Sequence, residues 1–173
     1  SIMEATNTID QLRILDLTGM ETVRVNYNNG SPALVADELL QNKSDRYYFK
    51  ELMALKKGEY FLSPLDLNVE NGKVETPYKP TIRIGMPIYN DEGITTGYIV
   101  LNHLAGGMVE RFKKASQMLP LDALLIDSHG TIISAPNPQL EWNEVISGEH
   151  EFSAVNNGKS YWKEIAKSSE GVL

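Results

Sequence analysis

Thr81-Ile-Arg-Ile-Gly-Met-Pro-Ile-Tyr89, then Asn90-Asp-Glu-Gly93, then Gly97-Tyr-Ile-Val-Leu-Asn-His103 is the stretch that decides the fold. Ile82, Ile84, Met86 and Ile88 alternate with Thr81, Arg83 and Gly85, the period-2 pattern of a strand with one apolar face. The Asn90–Gly93 turn is too short for a crossover helix, so the two strands must be antiparallel neighbours. Gly97–His103 is apolar on both faces, as expected of a central strand. Upstream, Leu12–Leu17 and Glu21–Asn28 form a second strand pair. Val23, Val25 and Tyr27 alternate there with Arg24, Asn26 and Asn28. Asp16 and Gly19 supply the turn, the carboxylate by accepting backbone amide bonds and the glycine by tolerating positive φ. Asn29-Gly30 and Pro32 end the second strand.

The connection between these pairs reads as mixed helix and loop. Asp45–Lys57 carries a helical stripe of Tyr48, Phe49, Leu52 and Leu55, with Ser44 or Asp45 as N-cap and Gly58 as the closing glycine. A strand over Glu59–Leu67 leads into Val69–Lys73, where Asn71-Gly72 signals a tight hairpin. The expected fold class is therefore α+β, a five-stranded antiparallel sheet in the order 2-1-5-4-3 with flanking helices. Leu12–Thr22 and Leu124–Ser134 share a strand, a D-x-x-G turn and a second strand, which points to a tandem repeat. A helix over Ala105–Met118, with Met108, Val109, Phe112 and Ala115 on one face, joins the copies, and Pro120 limits it. The second copy runs on through Pro136, Pro138 and Trp142 to Tyr161 and Trp162. It is too short to repeat every strand of the first. The expected division is residues 1–9 as the end of an N-terminal helix, 10–115 as the first module and 116–173 as a partial second one.

Composition narrows the function classes. The net charge of −7 argues against a nucleic-acid partner. With no cysteine, disulfides, thiolate catalysis and zinc–thiolate sites are excluded. No apolar run approaches the roughly 18–20 residues that span a bilayer, and Ser1–Thr8 lacks the pattern of a signal peptide. His103, His129 and His150 have no metal-ligand spacing. Gly158-Lys-Ser160 lacks the first glycine of a phosphate loop, position 153 being serine. Asn42-Lys-Ser44 matches a glycosylation acceptor, a motif frequent by chance. The reading assigns no catalytic residue, no metal site and no cofactor, and does not make the chain an enzyme.

Lys43-Ser-Asp-Arg-Tyr-Tyr-Phe49 is the informative cluster. Arg46, Tyr48 and Phe49 open a helix beside a sheet carrying Tyr27, Tyr60 and Arg83. A guanidinium matches a carboxylate and the aromatics can wall the site. Spacing alone leaves open the alternative that Arg46 is a solvated charge and the tyrosines fill the core.

Five segments in order, Asp10–Tyr27, Lys43–Phe49, Gly58–Asn68, Lys79–Arg83 and Gly97–Asn102, resemble the double Cache (PDC, PAS-like) sensor domains of bacterial membrane receptors, particularly sensor histidine kinases and sensory diguanylate cyclases. The resemblance implies an N-terminal helix, a membrane-distal PAS-like module and a membrane-proximal one. It implies an extracytoplasmic, periplasmic sensing region whose distal pocket binds a small molecule. The output domain would be a histidine kinase first, a diguanylate cyclase second and a chemoreceptor third; a ligand-free dimerisation module is the rival reading. In amino-acid-binding relatives an Arg-x-aromatic-aromatic segment holds the ligand carboxylate and a last-strand aspartate holds its amine. Arg46, Tyr48 and Phe49 match the first element. Asn102 stands where the acid would be, and Gln41 where a tyrosine is usual, so an anionic or carboxylate ligand fits better than an amino acid. Expected partners are that small molecule, the membrane through flanking helices outside this chain, and a second copy of the chain.

Overall fold

The computed structural model describes residues 8–127 and 129–147. The chain divides into two compact units, 1–105 and 106–173. The helix expected to close the first module therefore groups with the second.

In the first unit, β1 (Ile9–Leu15) and β2 (Glu21–Asn26) pair antiparallel, as do β8 (Pro80–Tyr89) and β9 (Thr95–Leu104), and β1 lies against β9. The edges are short pieces: β3 (Ala33–Leu34) beside β2, and β4 (Phe61–Leu62) with β5 (Asp66–Leu67) beside β8. Ser63-Pro64 interrupts the single edge strand expected over Glu59–Leu67. With those pieces merged, the order is the expected 2-1-5-4-3, extended by β3. The hairpin at Asn71-Gly72 forms as read, joining β6 (Val69–Glu70) to β7 (Lys73–Val74) with positive φ at both turn residues. It is a separate two-stranded sheet rather than part of the main one.

Helix α1 is shorter than its stripe suggested, Tyr47–Met53. Arg46 occupies the N-cap position without a side-chain cap bond, so neither Ser44 nor Asp45 is the cap. Gly58, at positive φ, serves the turn beyond the helix, where the Glu59 amide bonds the Lys56 carbonyl. Tyr48, Phe49 and Leu52 pack on Leu15, Tyr98 and Val100 to form the apolar core, with Leu55 and Phe61 against it. Burying a side chain of this size contributes about 1.5–3 kcal/mol.

The sheet's burial inverts its hydrophobic pattern. Two apolar rows cross one face, Val25–Leu12–Leu101–Ile84 and Val23–Ile14–Ile99–Met86. Ile84 remains 38% and Met86 47% exposed. The opposite face, beneath α1, carries Gln11, Arg13, Arg24, Thr81, Arg83 and Asn102, every one of them buried. An alternating strand ordinarily turns its apolar side to the core. Here only the Leu15–Tyr98–Val100 end of the covered face does so.

In the second unit, α2 (Gly106–Ser116), β10 (Leu125–Ile126), β11 (Ile132–Ser134) and α3 (Asn143–Ser147) follow in order. Val109 is the buried residue of α2; Met108 and Ala115, expected on its packed face, are exposed. Among the described residues no helix is long and apolar enough to cross a membrane. The expected helix end at Ser1–Thr8, apart from Thr8, lies outside the described residues, as do His150, Gly158–Ser160, Tyr161 and Trp162.

One five-residue loop recurs three times, linking β1–β2, β8–β9 and β10–β11. The Oδ1 of Asp16 accepts the Thr18 and Met20 amides at 2.8 and 3.0 Å. Asn90 does the same for Glu92 and Ile94, and Asp127 for His129 and Thr131. The fourth residue is Gly19, Gly93 or Gly130, at φ between 79 and 92°, where a Cβ would be strained. Two of these loops are the internal repeat read from the sequence.

Gly97 gives a sharp test of the sheet. A Cβ there would lie 2.5 Å from the Leu15 carbonyl oxygen, which is backbone of the adjacent strand and cannot step aside. Gly97→Ala is expected to destabilise the first unit by about 1–3 kcal/mol, read as a lower urea midpoint with an unchanged slope.

Candidate functional site

The covered polar face is a buried ionic network. Glu21, at the start of β2, has a fully buried side chain. Its oxygens meet Arg13 Nε at 2.8 Å, Arg24 Nη1 at 3.2 Å and Lys43 Nζ at 3.9 Å. The Gln41 amide donates to it as well, at 3.0 Å. A second carboxylate reaches the same cations from the β6–β7 hairpin. Glu70 lies 2.9 Å from Arg13 Nη2 and 3.8 Å from both Arg24 and Lys43. It accepts from Gln11 at 3.0 Å and Gln41 at 3.2 Å. Arg13 also donates to the side-chain oxygen of Gln11, Oε1.

Three cations thus share two carboxylates in a region from which water is largely excluded. Isolated buried charge is costly unless paired and hydrogen-bonded, and the electrostatics carry that strain. Burial, reinforced by Arg13, lowers Lys43 to about 8, against the opposing pull of Glu70 and Glu21. Burial alone would raise Glu70, but Arg13, the Gln11 bond, Lys43 and Arg24 together hold it below its ordinary value. The buried atoms without a hydrogen-bond partner among the described residues include Arg24 Nε and Asn102 Oδ1.

The expected site residues separate into groups. Arg46 stands half-buried at the rim of a cavity of about 420 Å³, with Gln41, Asn42, Lys43, Asp45, Val69, Asn71 and Gly72. Its guanidinium has no hydrogen bond or ion pair among the described residues. Asn102 is fully buried on β9, donating to Gln11 at 3.1 Å and Asn68 at 3.2 Å. Arg83 is already engaged: Asp66 lies at 3.3 Å, the Leu67 carbonyl at 3.4 Å, and the Tyr48 ring centroid 5.4 Å beneath the guanidinium. Tyr48 bridges the polar face and the core, and its hydroxyl is raised by burial although Arg13, Arg83 and Arg46 act to lower it. Phe49 is core, edge-on to Tyr98 at 5.5 Å. Tyr27 is buried where β2 ends.

Tyr60 is not gathered in. It is 68% exposed. Sequence reading missed Gln11, Arg13, Glu21, Arg24, Asn68 and Glu70. A signal existed, since Arg13, Arg24 and Glu21 lie on the polar side of alternating strands. Among the described residues no group of acidic and histidine side chains could hold a metal ion.

Because its surroundings disfavour its charge, Lys43 should cost stability. Below about pH 8 it is protonated in both folded and unfolded chains and the cost is complete. Between about 8 and its ordinary 10.5 the unfolded chain holds the extra proton, so stability rises with pH. Lys43→Met removes that titration, so its stability relative to the parent is expected to fall by about 1–2 kcal/mol between pH 7 and pH 10. Urea titrations of both proteins at the two pH values measure it.

Comparison with solved structures finds the same fold in sensor proteins. The extracellular domain of vpHK1S-Z8, described as a histidine kinase, matches with a TM-score of 0.78 at 23% identity, over 98% of this chain and 60% of that one. A domain of a protein described as sensory box/GGDEF family, from Vibrio parahaemolyticus, gives 0.73 at 24% identity, over 98% and 63%. The sensory domain of the Campylobacter jejuni chemoreceptor Tlp3, with isoleucine bound, gives 0.50 at 17%, over 76% and 46%. The chain thus spans about three fifths of the first two. No curated protein matches it. A family model, bacterial histidine kinase, sensor domain, matches residues 1–173. With its antiparallel sheet, covering helix and buried polar face, the chain belongs to that family of sensor domains.

Proposed function

We propose that the chain is the extracytoplasmic part of a membrane-anchored histidine kinase and that its first unit, the membrane-distal one, binds a small carboxylate. The observation that carries this reading is the cationic excess on the sheet's covered face. Arg13, Arg24 and Lys43 outnumber Glu21 and Glu70, and Arg46, whose guanidinium has no partner among the described residues, stands at the rim of the adjoining cavity. A guanidinium beside such a cavity is matched to a carboxylate by geometry as well as charge.

An amino acid is the nearest competing ligand class, since the Tlp3 sensory domain holds isoleucine. The chemistry of this face favours an acid without an amine. Asn102 offers an amide where a carboxylate would meet the ammonium, and Glu70 is already surrounded by three cations. The domain is read as non-catalytic, passing its signal to an output domain outside this chain; a diguanylate cyclase or chemoreceptor output is the second reading, supported by the range of proteins that share the fold.

A thermal-shift screen of small metabolites tests the ligand class. A ligand at about 100 times its dissociation constant adds about 2.7 kcal/mol, a rise of about 5–10 °C for a protein of this size. Carboxylates are expected among the hits. Arg46→Ala should weaken them about 10–100-fold, the worth of one charge-assisted hydrogen bond. A full shift that survives Arg46→Ala would remove Arg46 from the site, and hits confined to cations or neutral molecules would overturn the ligand class.

A further inference from the structure

Glu70 is placed unlike any other carboxylate in the network. Glu21 belongs to the main sheet, is wholly buried, and is also held by the Gln41 amide. Glu70 sits on a two-residue strand of a hairpin that forms its own small sheet, and its side chain keeps 22% of its surface open. Isolated hairpins of this size are marginal by themselves. The base of this one is tied down: the Asn68 amide bonds the Lys79 carbonyl, Asn68 Nδ2 bonds Glu75, and Lys79 pairs with Glu75 at 2.7 Å. Beyond the base, Asn71, Gly72 and Lys73 are exposed. The polar contacts that the described residues give to the tip are those of the Glu70 carboxylate.

Those contacts are the ones a free carboxylate would make. One oxygen takes Arg13 Nη2 and Gln11 Nε2; the other takes Gln41 Nε2 and faces Arg24 and Lys43. The cavity lies against this same hairpin, lined by Val69, Asn71 and Gly72 as well as by Arg46. Take Glu70 away and three buried cations face Glu21 alone, so the seat cannot stay without an anion. An ammonium is a poor substitute there, since it would add a fourth cation.

We propose that Arg13, Arg24 and Lys43, with the amides of Gln11 and Gln41, form a carboxylate seat occupied here by the protein's own Glu70, which an incoming carboxylate must displace along with the hairpin tip. This deepens the sensing reading above and rests on it for the identity of the ligand. Glu70 is then an intramolecular competitor. It sets the threshold concentration at which the sensor responds, and its release couples occupancy to the position of a surface hairpin.

The probe is acetate, the simplest carboxylate, with acetamide as its neutral isostere, titrated at constant ionic strength into the full chain and into Glu70→Ala by calorimetry. Glu70→Ala opens the seat, so acetate should bind it at least about tenfold more tightly than the parent, and acetamide should not bind. Equal or weaker acetate binding by Glu70→Ala overturns the proposal, as does equal binding of acetamide. If Glu70→Ala folds poorly, acetate should raise its melting temperature selectively, and Glu70→Gln, which keeps the volume and removes the charge, supplies the same comparison. In the parent, a carboxylate found by the screen should speed amide exchange at Lys73 and Val74, and protection there would contradict displacement. The two readings separate cleanly. Tight acetate binding by Glu70→Ala with no metabolite hit in the parent keeps the seat and removes the sensing role. A carboxylate hit whose affinity ignores Glu70→Ala keeps the sensing role and removes the seat.

Discussion

Glu21 is the charge on which the covered face of the sheet depends. Its side chain is closed to solvent, and its two oxygens engage Arg13, Arg24 and Lys43 from three different parts of the chain. Removing one partner from a buried pair generally costs more than the pair contributes, because the survivor is left unpaired in a medium that solvates it poorly. Without Glu21, two strands and the loop before α1 would bring cations together with only Glu70 between them. The carboxylate therefore fixes how β1, β2 and the Gln41–Lys43 segment meet, and through that segment where α1 begins. The Gly19 carbonyl and the Gln41 carbonyl complete the join, taking the Lys43 and Glu21 amides.

The same face is divided along its length. Toward one end Leu15, Tyr98 and Val100 meet α1 in ordinary apolar packing, tight enough at Gly85 that a Cβ would come within 2.7 Å of Leu52. Toward the other end α1 gives way to the Glu70 hairpin and the surface is charged. The helix supplies rigidity and the hairpin supplies access, an arrangement that suits a site needing a firm floor and a yielding roof. Tyr48 and Arg83 stand at the join, the ring stacked beneath a guanidinium that Asp66 already neutralises. Arg83 is thus better understood as a strut than as a ligand contact.

What could be read from sequence was what neighbouring residues decide among themselves. The loops at Asp16–Met20, Asn90–Ile94 and Asp127–Thr131 are local chemistry, and they set the hairpins and hence most of the strand order. Asn71-Gly72 was legible for the same reason. Helix α1 ran shorter than its apolar stripe because Leu55 joins the core from beyond the helix end. The charged network was illegible. Alternation along β1, β2 and β8 tells two faces apart but not which one a helix will cover, and the apolar rows proved to be the more open side. Glu70 lies 57 residues from Arg13, and no periodicity connects them. Arg46 was singled out because its aromatic neighbours are adjacent in sequence; the same adjacency drew in Phe49, which belongs to the core, whereas Tyr60, expected on the neighbouring sheet, is 68% exposed.

A sensor needs two arrangements close in free energy, and a ligand can shift them only by its difference in affinity for each. A wholly apolar pocket offers little of this, since it is simply empty or filled. A buried seat that must always hold an anion offers more. Whether the anion is tethered or free, the cations remain paired, so exchanging one for the other leaves the cost of burying Arg13, Arg24 and Lys43 nearly constant. What differs between the two arrangements is the hairpin tip and the entropy of the free ligand, both small quantities that a solution concentration can balance. The uneven count of charges on this face is then less a defect of packing than the source of its responsiveness: Glu21 keeps the sheet assembled whichever carboxylate occupies the other position, and Glu70 leaves that position contestable.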